Sequence, residues 1–145
     1  MNKKNTLLLF LCLFCLWAVA QEKKPVKIAC VGNSITYGSG IKNQFQNSYP
    51  GLLSQLLGEG YDVRNFGISA RVMLNKGDYP YMHEQKFRDL LAFQPDIVTI
   101  KLGTNDSKPW NWHYGKDFGK DLTEMLDILQ DLPSKPKIYL CFPVP

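Results

Sequence analysis

Three short polar runs carry groups that can act on a carbonyl, and each follows an apolar stretch: Gly32-Asn33-Ser34-Ile35-Thr36, Asn65-Phe66-Gly67-Ile68-Ser69 and Gly103-Thr104-Asn105-Asp106. A serine hydroxyl on a tight turn after a buried strand is exposed and aimed at one place, as a nucleophile must be. Attack on a carbonyl carbon puts charge on its oxygen, and donors set in advance around that oxygen are worth about 3 kcal/mol each where water is excluded. Glycine in each run lets the backbone approach a ligand closely. Taken singly, each run also reads as an ordinary loop, with Ser34 capping a turn, Gly67 supplying a special φ and Asn105 forming an Asx turn. Their succession at three strand ends carries the chemical reading.

The elements that must position these runs follow from periodicity. Val26 to Val31 reads as a buried strand stopped by Gly32, and Tyr49, Leu52, Leu53, Leu56 and Leu57 repeat at helical spacing from Ser48 to Gly58. A short strand at Tyr61–Phe66 precedes Gly67, and a second helix is predicted from Tyr81 to Phe93 with Phe87, Leu90 and Leu91 facing inward. The strand Asp96–Leu102 ends at Gly103; a third helix carries Phe118, Leu122, Met125, Leu126 and Leu129, and a last strand spans Lys137–Phe142. Alternating β and α elements call for a parallel sheet with helices on both faces, a flavodoxin-like three-layer α/β/α arrangement. Ligands in such sheets bind outside the carboxyl ends of the strands, where the three polar runs would meet.

In these blocks the chain resembles the SGNH hydrolases, also called the GDSL esterase/lipase family, from about Val26 to its last residue. The resemblance implies the SGNH hydrolase fold and makes Ser34 the nucleophile of an acyl-enzyme, with oxyanion donors at the Ser34 N–H, Gly67 N–H and Asn105 amide. One position departs from the pattern: Asn33 stands where the family has its name-giving Asp, keeping an acceptor but losing the charge. A second departure concerns the base. The family carries its His and orienting acid as D-x-x-H after further α/β units, and this motif has no match in the 145 residues. His83 and His113 are the histidines present, and Pro80 and Trp110 stand three residues before them. The expectation is therefore an N-terminal portion of the fold with its C-terminal part missing, and with an open sheet edge. The alternative is a truncated, non-catalytic esterase remnant or a weak glycan-binding protein.

Substrate signals are fewer. The wording of Gly32–Gly38 and of Gly103–Trp110 resembles bacterial acetylesterases acting on glycans, including sialate O-acetylesterases and acetylxylan esterases, and no long apolar lid segment is visible. Acetyl is the preferred acyl group. Trp110 and Trp112 either stack on sugar rings or pack their loop onto the domain. Arg71 either meets a substrate carboxylate or sits in a surface ion pair. With Asn33, these are the candidates to touch substrate.

Composition bounds the rest. The chain has 145 residues, 45% hydrophobic and 21% charged, which suits one folded domain. Lys3 and Lys4 precede an apolar run, Leu7 to Ala20, shorter than the roughly 20 residues a bilayer crossing needs and ending in Ala18-Val19-Ala20. Residues 1–20 therefore read as a signal peptide cleaved before Gln21, leaving an exported esterase domain over 21–145 without stable membrane insertion. Losing Lys3 and Lys4 lowers the net charge from +4 to +2, and the remaining basic residues form no stripe, so nucleic acid is not an expected partner. Cys30 and Cys141 remain, as two buried thiols or, in an oxidising compartment, a pair. Gly32 to Gly40 lacks the spacing and the Lys of a phosphate loop, and no Cys/His/carboxylate cluster has metal-ligand spacing, so neither cofactor nor metal is expected.

Overall fold

The computed structural model describes residues 24–143; the expected signal peptide lies outside them. Four strands form one parallel sheet: β1 (Val26–Gly32), β2 (Tyr61–Gly67), β3 (Ile97–Lys101) and β4 (Lys137–Leu140), in the order β2-β1-β3-β4. Gly32 is in register with Gly67 on one side and Lys101 on the other, so the three polar runs leave the sheet at one edge. Among the described residues six α-helices connect the strands: α1 (Ser34–Tyr37), α2 (Gln44–Asn47), α3 (Tyr49–Leu57), α4 (Gln85–Phe93), the short α5 (Pro109–Trp112) and α6 (Phe118–Gln130). A further 3-10 turn covers Tyr81–His83 and another Gly115–Asp117.

Alternation along the strands assigns the two faces. Ala29, Val31, Phe66, Val98 and Ile100 share one face and pack with Phe87, Leu90 and Phe93 of α4 and Met125 and Leu129 of α6, the main core. Cys30 and Thr99 point the other way, and the Tyr49 hydroxyl of α3 meets the Thr99 hydroxyl there at 2.9 Å. Helices on both faces make the expected three layers. The helix predicted from Tyr81 to Phe93 is broken in two, because Glu84 is extended at ψ 151°. The break leaves Tyr81 fully buried, its hydroxyl donating to the Phe66 carbonyl at 2.6 Å.

Cys30 and Cys141 are free thiols. β3 lies between their strands, a separation of about 9.5 Å, beyond the reach of a disulfide. β4 has no further strand beside it among the described residues, and Tyr139, Leu140 and Phe142 are exposed along it. No described helix is long and apolar enough to cross a membrane.

Candidate active site

Ser34 opens α1 directly after β1. Asn33 caps that helix: its Oδ1 accepts the Ile35 N–H at 3.0 Å, an Asx turn that fixes Ser34 between the two. Asn33 is completely buried, which corrects its expected place against substrate; it holds the nucleophile's turn from behind. Thr36, also buried, lies against Gly32 so closely that any β-carbon at 32 would run into its hydroxyl. Gly38 ends α1 in the left-handed region at φ 89°, its N–H returning to the Ser34 carbonyl. Neither the Ser34 hydroxyl nor its N–H, at the first position of the helix, is tied up by another described residue.

The second run is organised differently from the sequence expectation. The Gly67 N–H, expected to face an oxyanion, donates to Asn65 Oδ1 at 2.9 Å within its own loop. Gly67 is glycine because α1 presses on it: a β-carbon would run into the Tyr37 backbone nitrogen and lie 2.8 Å from the Thr36 carbonyl carbon. Asn65 completes this junction by donating to the Thr36 carbonyl at 3.0 Å. Three residues on, Ala70 is exposed at φ 68°, a left-handed conformation uncommon for alanine, and its N–H makes no hydrogen bond among the described residues. Sequence reasoning passed over Ala70, since a backbone donor leaves no trace in residue type.

The third run locks onto the second. Asn105, buried, donates its amide to the Arg71 carbonyl at 3.0 Å, next to Ala70. Asp106 is fully buried and its Oδ1 accepts the N–H groups of Met73 and Leu74, both at 2.8 Å. Burial raises the Asp106 carboxyl above the usual carboxylate range, against the opposing pull of those backbone donors. Asn111 of α5 spans the same junction, giving its amide to the Asn105 carbonyl at 2.9 Å and accepting the Asp78 N–H at 2.7 Å. Asp106 and Asn111 are thus cross-ties of the loops.

Arg71 does not present its guanidinium freely to a ligand: it pairs with Glu84 at 2.8 Å and donates to the Ser69 carbonyl at 3.0 Å. Trp110 is 60% exposed with its indole N–H on Asp78 at 2.8 Å, while Trp112, 54% exposed, covers Gly115 and leans on Phe118. His83 is exposed, and His113 is exposed with its ring edge-on to Tyr114. Neither imidazole is hydrogen-bonded to Ser34 or to any other described residue. Among the described residues no cluster of His, Cys, Asp and Glu could hold a metal ion.

Comparison with known proteins agrees with this layout. The chain is 50% identical to an acetylxylan esterase of Xylanibacter ruminicola over 87% of its own length and 30% of that protein's. An inhibitor-bound aryl esterase of M. smegmatis superposes with a TM-score of 0.68 at 23% identity, over 83% of this chain and 65% of that one. A carbohydrate acetylesterase family member from Sinorhizobium meliloti superposes at 0.62 and 22% identity, over 83% and 63%. The chain therefore spans under two thirds of these solved chains and under one third of the curated relative. Residues 30–145, which contain all three polar runs, match one family description, and the chain belongs to the GDSL-like lipase/acylhydrolase family.

Proposed function

We propose that the protein is a serine esterase that removes acetyl groups from carbohydrate esters. The single observation that carries this reading is the convergence of the Ser34 turn and the Asn105 loop on one sheet edge, in a chain half identical to an acetylxylan esterase. Ser34 Oγ attacks the ester carbonyl, its proton leaves to a base, and the alcohol of the sugar departs from a tetrahedral intermediate to leave an acetyl-serine that water hydrolyses. The oxyanion is received by the Ser34 N–H, the Ala70 N–H and the second amide hydrogen of Asn105. Ala70 takes the place first given to Gly67, whose N–H is already used. The base is assigned to neither His83 nor His113.

Acetyl as the acyl group is supported by the names of the relatives and by the absence of a long apolar segment near Ser34 in the sequence. Acetylated xylan is the substrate favoured by the 50% identical relative; sialate esters have no comparable support. Export is part of the proposal and rests on residues 1–20. The test is acetate release from acetylated xylo-oligosaccharides against release of a long-chain acid from a matched ester. Faster acetate release is expected; preference for the long chain contradicts the acetyl assignment. No release from either moves the protein to the non-catalytic reading.

A further inference from the structure

A groove of about 840 Å³ lies beside the edge that holds Ser34, between α2, the start of α3 and the outer edge of β2. Tyr37, Phe45, Arg64, Asn65 and Lys86 are among its walls. None of the roles described so far uses it as a binding surface, yet Tyr37, the last residue of the helix that Ser34 opens, is one of its walls. Tyr37 is one helical turn, roughly 4.5 Å along the axis, beyond Ser34 on α1. Asn65 holds the Gly67 N–H, and the Lys86 ammonium donates to the Gly67 carbonyl at 3.2 Å while facing the Tyr37 ring at 5.9 Å.

Phe45 gives the groove its chemistry. Its side chain is 92% exposed, on a helix too short to be stable alone, yet the segment around it is pinned from several sides. The Gln44 side chain donates to the Tyr37 carbonyl, Asn47 to the Lys42 carbonyl at 2.7 Å and Gln55 to the Gln46 carbonyl at 2.8 Å. Gly51 of α3 lies so close that a β-carbon there would run into the Phe45 carbonyl oxygen and sit 2.7 Å from that of Gln46. The result is an aromatic face held in water on a fixed mount.

The other wall is polar. Arg64 and Asp62 form a two-bond pair at 3.1 and 2.8 Å, a planar array of donors and acceptors, and Lys86 adds donors. An acyl chain finds charges along this wall, and a polyanion finds Asp62. A hydroxyl-rich ring finds an aromatic face for its C–H side and alternating donors and acceptors for its hydroxyls. The volume accommodates roughly two or three sugar rings.

We propose that this groove binds the pyranoside backbone of the ester-bearing polysaccharide, with Phe45 as its stacking platform and the Arg64–Asp62 pair as its hydroxyl partner. The inference rests on the carbohydrate esterase reading but is tested by binding, which needs no turnover. Unacetylated β-1,4-linked xylohexaose is titrated into the full chain bearing Ser34→Ala, followed by backbone amide chemical shifts. Shifts centred on Phe45, Gly51, Val63 and Asn65 are expected. Adding Phe45→Ala is expected to weaken binding roughly fivefold to tenfold, while Leu56→Ala, which removes an 84% exposed side chain of α3 outside the groove, leaves it unchanged. No binding, shifts centred elsewhere, or equal binding by the Phe45→Ala and parent chains overturns the groove assignment and leaves the esterase proposal standing. Failure of that proposal shows separately, as absence of acetate release from any acetyl ester.

Discussion

Gly67 and Ala70 stand three residues apart in the loop that leaves β2, and they divide two properties a glycine motif suggests belong together. Gly67 has its N–H on Asn65 and its Cα against the backbone of α1. Ala70 has a left-handed backbone, an N–H without a partner among the described residues and a neighbour, Arg71, whose carbonyl is held by Asn105. The glycine at 67 therefore serves close packing of two loops, and the free donor appears at a residue with a β-carbon. A glycine in a polar run and a chemical role are separable, because the backbone supplies the donor and the side chain only has to permit the geometry.

Substitutions at four positions break or sharpen this contrast. Asn105→Ala removes a proposed oxyanion donor and the tie that places Ala70, so kcat on an acetyl ester is expected to fall about 10²-fold to 10³-fold. Steady-state kinetics with unchanged kcat would remove Asn105 from the site. Asp106→Ala leaves the Met73 and Leu74 N–H groups buried without an acceptor and is expected to cost about 3 kcal/mol in urea unfolding.

The same carboxylate gives a pH test. Its folded pKa lies above the unfolded value, so the folded state holds the proton more tightly and stability falls as pH rises from about 4 through the folded pKa. The parent is therefore expected to lose stability relative to Asp106→Asn over that interval, and a gain would reverse the sign of the burial effect. Gly67→Ala forces α1 away from β2 and is expected to destabilise by about 2 kcal/mol. Ala70→Gly is the smallest change. It relieves the left-handed strain, frees the unfolded chain and keeps the N–H, so unfolding free energy should stay within about 1 kcal/mol and acetyl release should persist. If Ala70→Gly abolished activity while Gly67→Ala spared it, the division between the two positions would be wrong.

Much of this was legible in the sequence. Apolar runs closed by Gly32, Gly67 and Gly103 located three strand ends, and helical spacing found α3 and α6 nearly to their boundaries; one-sided burial explains that period in α6, where Met125 and Leu129 are buried, whereas Leu52 and Leu56 of α3 follow it but are exposed. The break at Glu84 was not legible. It depends on Tyr81 reaching the Phe66 carbonyl, a tertiary bond that competes with continuing the helix. α1, α2 and α5 escaped notice for a related reason: four residues make too little periodicity to read. At the site, Ser34 and Asn105 lie on one edge as expected, whereas Asn33 turned inward as a cap and Arg71 was taken by Glu84. The partner of Arg71 lies 13 residues away in sequence, where residue type and spacing do not show it.

The central claim is that Ser34 forms the acyl-enzyme. Its most direct test compares acetate release from a small acetyl ester by the full gene product and by its Ser34→Ala variant, with unfolding curves to show that both are folded. The account predicts a loss of at least about 10³-fold with the unfolding midpoint unchanged, as the removal of a nucleophile requires. A folded Ser34→Ala protein as active as its parent would contradict it.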